Sequence, residues 1–205
     1  FRQAAQRNRE DSQPALAGAL LELARQRKET GDLLGALAVA EEAERIYRDL
    51  PRADPDQHLS RFAECLLLVA KTRFALGLFE NAHSSALEAE ALYLALLKGD
   101  PVRSLLPLFQ SVMLVAKGLL QKQDYAAAVP KCQQALVYFK MLMSKLQPAR
   151  QYAGQFDEAI EGYLLACEKA GVAPDQALLA QFGRASAPKT ARGLLGALGK
   201  KLFRR

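Results

Sequence analysis

A 46-residue internal repeat constrains this chain more than anything else in it. Three short stretches carry it: Gly31-Asp32-Leu33-Leu34-Gly35-Ala36, Gly77-Leu78-Phe79-Glu80-Asn81-Ala82 and Gln123-Asp124-Tyr125-Ala126-Ala127-Ala128. Other positions keep the register. The aromatics Phe1, Tyr47, Tyr93 and Phe139 form one column, Ala24, Ala70 and Ala116 a second, and Ala43, Ala89 and Ala135 a third. A period of this length means one supersecondary unit copied and stacked, each copy burying its apolar face on the next. Such a chain is expected to be a binding scaffold rather than a catalyst, and the repeat does not name the partner.

Within each unit the apolar spacing is helical. Leu16, Leu20, Leu23, Ala24 and Arg27 follow the stripe of one amphipathic helix. Gly31 ends it by supplying a left-handed cap. Asp32 can cap the next helix, which carries Leu33, Ala36, Leu37, Ala40, Ala43 and Ile46. The unit is therefore an antiparallel helix pair joined by a tight turn. Pro51 to Pro55 break the chain between units, with Asp56 placed to cap, and Gly99-Asp100-Pro101 and Gln147-Pro148 do the same later. The predicted helices are 14–30, 33–50, 57–76, 79–98, 102–122, 125–146, 149–170 and 175–184. Pro130 predicts a kink or a late start in the sixth. After Pro148 two registers compete. Gly154 can open a turn, or 149–170 can form one helix closed by Gly171; the second spacing fits better.

Half the residues are apolar, which marks a folded chain. Ala and Leu dominate, which favours helix. No apolar run approaches the roughly 20 residues of a membrane span. The first residues do not read as a signal peptide. A start without Met, inside the aromatic column, reads as a piece of a longer array or a processed product. Cys65, Cys132 and Cys167 lack metal-ligand spacing. They are expected as small core residues in a reducing, cytoplasmic compartment. The net charge of +6 is local. Residues 184–205 hold seven cations and no acid, leaving 21 basic against 22 acidic residues in the repeat body.

Glycine at the turn, an aromatic or Leu two residues on, Ala five on and Ala twelve on is a pattern that resembles the tetratricopeptide repeat. The match covers roughly residues 1 to 183. Ile46-Tyr47-Arg48-Asp49-Leu50 followed by Asp54-Pro55-Asp56 is similar to a long-repeat subtype found beside signalling ATPases and caspase-like proteases. Leu20, Leu66 and Val112 stand where the family carries a large aromatic. The resemblance implies an all-α, right-handed α-solenoid of stacked antiparallel helix pairs, about three and a half to four repeats. It also implies a concave surface, lined by the first helix of each pair, that holds a peptide or a partner helix.

On that surface Arg25, Lys71 and Lys117 recur 46 apart. Three cations in line would attract an extended acidic peptide or a C-terminal carboxylate. The plain alternative is a solvated charge on each helix. Leu67, Phe74 and Met113 nearby are side-chain pockets or core, and core is preferred; Leu21 belongs to the same set. His58 and His83 have no helical partner for a metal. Asp157, Glu158 and Glu161 read as a solvated face. Catalytic residues, metal and cofactors are not expected.

Residues 184–205 form a separate basic segment. Ala191, Leu194, Leu195, Leu198 and Leu202 share one helical face, with Lys200, Lys201, Arg204 and Arg205 at the end. Gly193, Gly196 and Gly199 oppose helix in isolation. The segment caps the last helix pair, folds on an anionic membrane or a protein partner, or binds nucleic acid, the least supported option. The leading expectation is a cytoplasmic adaptor that binds a protein or peptide, possessing no enzyme activity. The alternative is a peripheral membrane or nucleic-acid tether acting through the tail.

Overall fold

The computed structural model describes residues 2–50, 55–145 and 152–182. These form eight helices and no strand: α1 (Arg2–Glu29), α2 (Leu33–Asp49), α3 (Pro55–Ala75), α4 (Phe79–Leu96), α5 (Pro101–Gln121), α6 (Tyr125–Lys145), α7 (Ala153–Ala170) and α8 (Gln176–Ala180). The all-α expectation holds, and the helices pack in adjacent pairs. Each helix from α1 to α6 lies against the next. Further contacts join α1 to α3, α3 to α5 and α5 to α7. Among the described residues α2 and α4, and α4 and α6, meet instead through side-chain ion pairs, Arg48 with Glu88 and Lys131 with Glu90.

One turn recurs inside the pairs. Gly31, Gly77, Gln123 and Gly171 have φ of 86°, 78°, 61° and 69°. After each, two amide N–H groups reach back to orphaned helix carbonyls, as in Gly31 N to Lys28 O (3.1 Å) and Asp32 N to Arg27 O (2.9 Å). The same two bonds follow Gly77, Gln123 and Gly171. An Asp side chain then accepts from the next helix: Asp32 from Gly35 N, Asp124 from Ala127 N and Asp175 from Leu178 N. At the corresponding place before α4 stands Leu78, which gives no side-chain cap. Asp100 caps α5, with Pro101 in its first turn.

Gly171 closes α7, so the register with a single helix before it is the one the chain adopts. Several boundaries differ from expectation: α7 begins at Ala153 rather than 149, and α8 ends at Ala180 rather than 184. α1 begins at Arg2 and passes through Pro14, forgoing one backbone bond, where the sequence placed a start. α3 opens at Pro55, which puts Asp56 inside the first turn. α6 starts at Tyr125 despite Pro130, whose missing N–H falls on an exposed face. Phe1, residues 51–54 and the tail from 183 onward, with Lys200, Lys201, Arg204 and Arg205, lie outside the described residues.

The repeated small residues are where pairs close. Ala36, Ala82 and Ala128 are buried, as are Ala24, Ala70, Ala116, Ala43, Ala89 and Ala135. Cys65, Cys132 and Cys167 are buried and free, and burial pushes all three thiols above their ordinary range. Aromatic rings tie the later pairs together. Phe109 meets Phe139 at 5.3 Å, Phe139 stacks on Phe156 at 4.7 Å, and Phe156 meets Phe182 at 5.0 Å. By length and composition α5 is apolar enough to cross a membrane, which the sequence reading did not anticipate. Its packing against α3, α4, α6 and α7 accounts for that composition without a bilayer.

Candidate functional site

The cations Arg25, Lys71 and Lys117 sit on α1, α3 and α5 and form a ladder. Each reaches across to the next odd-numbered helix. Arg25 Nη2 lies 3.0 Å from Glu64 Oε1, Lys71 Nζ donates to Gln110 Oε1 at 2.7 Å, and Lys117 Nζ lies 2.7 Å from Glu158 Oε1. The acceptors Glu64 and Gln110 are themselves one repeat apart. Glu158, expected on a solvated face, is instead the last rung. Lys117 also sits 5.7 Å from the centre of the Phe74 ring.

The middle rung differs chemically. Gln110 offers Lys71 a neutral oxygen where the flanking rungs offer carboxylates. Among the described residues no carboxylate lies within ion-pair distance of Lys71. Burial, followed by repulsion from Lys28, Arg25 and Lys117, lowers its pKa to about 8.

Two connected cavities surround this rung. One, of about 320 Å³, is lined by Arg25, Lys28, Leu67, Lys71, Tyr93 and Gln110 among others. The second, of about 920 Å³, continues between α3 and α5 past Arg61, Leu96, Arg103 and Ser104. Glu64, Tyr93 and Pro107 border both. Tyr93 reaches the groove from α4. It is 3% exposed, and its hydroxyl has no hydrogen-bond partner among the described residues. A buried hydroxyl left in this state costs about 1–3 kcal/mol. One repeat later Phe139 fills the same position without a hydroxyl, so packing alone does not require one.

The apolar candidates divide. Leu67 and Met113 are buried core residues, although Leu67 also borders the smaller cavity. Phe74 is half-buried against Phe79 at 5.0 Å. Neither Met113 nor Phe74 borders the groove. The sequence reading missed Tyr93 and Gln110. Tyr93 carried a signal in the change from Tyr to Phe at Phe139, one repeat later in its column. Gln110 carried one in replacing the Glu of the preceding repeat. His83 packs on α5, and burial, then Lys122, lowers its pKa. Among the described residues no cluster of His, Cys, Asp and Glu has metal-site geometry.

No family model and no curated protein matches the chain. Among solved structures it is similar to a chain of the "DHF79 filament", with 21% identity, covering 96% of this chain and 99% of that one at a TM-score of 0.36. That superposition is too loose to carry any argument.

Proposed function

We propose that the chain is a protein-interaction scaffold of the tetratricopeptide type. In this reading it is a right-handed stack of about three and a half to four helix pairs. The groove along its odd-numbered helices takes an extended, carboxylate-bearing segment of a partner protein. Close backbone packing between successive odd-numbered helices, where successive even-numbered ones among the described residues meet through the ion pairs Arg48–Glu88 and Lys131–Glu90, supports a stack curved toward the odd side. The observation that carries the reading is the middle rung: an ammonium facing a neutral amide among cations, with a buried hydroxyl beside it. A carboxylate would supply Lys71 with its missing counter-charge and Tyr93 with an acceptor. Arg25 and Lys117, already held by Glu64 and Glu158, would add long-range attraction more than contact.

The test uses a fluorescent hexaglutamate peptide and anisotropy. Lys71→Gln should weaken binding about tenfold or more, Tyr93→Phe several-fold, and Lys117→Ala least. Affinity should fall with salt, since exposed charges are screened over about 10 Å at 0.1 M. It should also fall as pH rises through about 8, where Lys71 loses its proton. The other groups facing Lys71 are Arg25, Lys28, Glu29, Glu64 and Tyr93, with Lys117 and Glu158 one rung away. Equal affinity of the Lys71→Gln chain would remove the groove as the site.

A further inference from the structure

The repeats act as controls for one another, and on the even-numbered helices they disagree. Four outward positions of α2 carry Glu41, Arg45, Arg48 and Asp49, all exposed and all charged. One repeat on, α4 carries Leu87, Ala91, Leu94 and Ala95 there, exposed and without a charge. In α6 the last three of these positions hold Val137, Lys140 and Met141. Leu87, Leu94, Val137 and Met141 are 41%, 37%, 46% and 39% exposed. In the first pair two of these positions carry ion pairs to the next pair, Glu41 with Arg73 and Arg48 with Glu88, whereas their counterparts Leu87 and Leu94 are apolar and partly exposed.

The surface has a cleft. Leu87 of α4 and Ala127 and Pro130 of α6 wall a space of about 360 Å³, floored by Val115 and Leu119 of α5 and bordered as well by His83, Lys131 and Gln134. Val137 and Met141 extend its apolar wall along α6. At the Met141 end, Lys140 Nζ donates to Gln181 Oε1 at 2.8 Å, one residue before the described structure ends at Phe182. Gln181 and Phe182, the last described residues, therefore lie beside one end of the cleft, and residues 183–205 follow them in sequence.

We propose that residues 189–205 dock in this cleft as a helix, with Leu194, Leu195, Leu198 and Leu202 against the α4–α6 wall. The lengths agree. Residues 183–188 span up to about 20 Å when extended, and 17 helical residues cover about 26 Å. Pro130 and Met141 are about 16 Å apart along α6 by the same rise. Running back from Lys140, the segment brings Lys200, Lys201, Arg204 and Arg205 toward the end of the body where Glu80, paired with Lys122, and Asp124, which caps α6, are exposed. Gly193, Gly196 and Gly199 make the helix dependent on a supporting surface and allow its backbone to approach one closely.

Hydrogen exchange of residues 189–205 in the full chain tests this. The cleft variants are Leu87→Glu and Leu94→Arg, which install the residues the first pair already carries at those positions; circular dichroism checks the fold. Slow exchange in the native chain, accelerated at least tenfold by either cleft variant and by Leu195→Asp in the tail, is the expected result. Unprotected exchange in the native chain overturns the proposal, as does protection that survives both cleft variants. Protection that appears only at high protein concentration would assign the cleft to a second copy. Protection only with phosphatidylserine vesicles would assign the tail to a lipid surface. Either outcome also overturns it.

Discussion

Gln123 occupies a left-handed backbone conformation that its equivalents Gly31 and Gly77 adopt without a Cβ penalty. Leu78 stands at a helix N-terminus where Asp32 and Asp124 each accept a backbone N–H. In both places one copy departs from what the other two use. Restoring the common residue should therefore stabilise the fold. Gln123→Gly should add about 0.5–1 kcal/mol by relieving φ strain. Leu78→Asp should add about 0.5–2 kcal/mol by supplying the missing cap. Urea melts measure both, and a midpoint that stays put in either variant would show that the turn does not limit stability. The turns were legible in the sequence because Gly, Asp and Ala recur at fixed offsets. The strain at Gln123 was not, since a glutamine in register does not reveal its φ.

Helix crossings set the tolerances of the elements. A Cβ built on Gly118 of α5 would lie 2.7 Å from His83 Nδ1 and 3.1 Å from His83 Cβ. Gly118→Ala should consequently push α4 and α5 apart and cost about 1–3 kcal/mol. Ala82, 1% exposed, should respond similarly to Leu. Because burial and Lys122 lower the His83 pKa below 6.5, the unfolded chain takes up its proton first. Its contribution is complete above about pH 6.5 and is lost as pH falls below that value. His83→Gln should flatten this part of the pH–stability curve, and an unchanged curve would assign the acid sensitivity elsewhere. Most helices were readable from period and punctuation, whereas the start of α1 was not, because Pro14 reads equally well as a first-turn residue. The cation column was visible as a column. Its acceptors were not, since Glu64, Gln110 and Glu158 meet it only through the rotation between pairs, which a linear pattern does not encode. The apolar face of α4 was legible in principle, by setting Leu87 and Leu94 beside Glu41 and Arg48.

At the scale of the molecule, sequence distance and spatial distance run together across the described helices. No pair of described helices more than two apart in chain order is in extensive contact. Stability is then close to a sum over pairs and the interfaces between neighbours. Pulled from its two ends, such a body has no single fastener whose failure releases everything. Tension should peel it from the weaker terminus, one pair at a time. A unit of 46 residues, at about 3.5 Å each, would give way in increments of roughly 160 Å of contour length. In an optical trap this is a sawtooth, whereas a single rip of the full length would mean that the pairs fail together. The feature behind it is modest: helices that touch only their near neighbours make a chain able to lengthen in measured steps and to retract the same way.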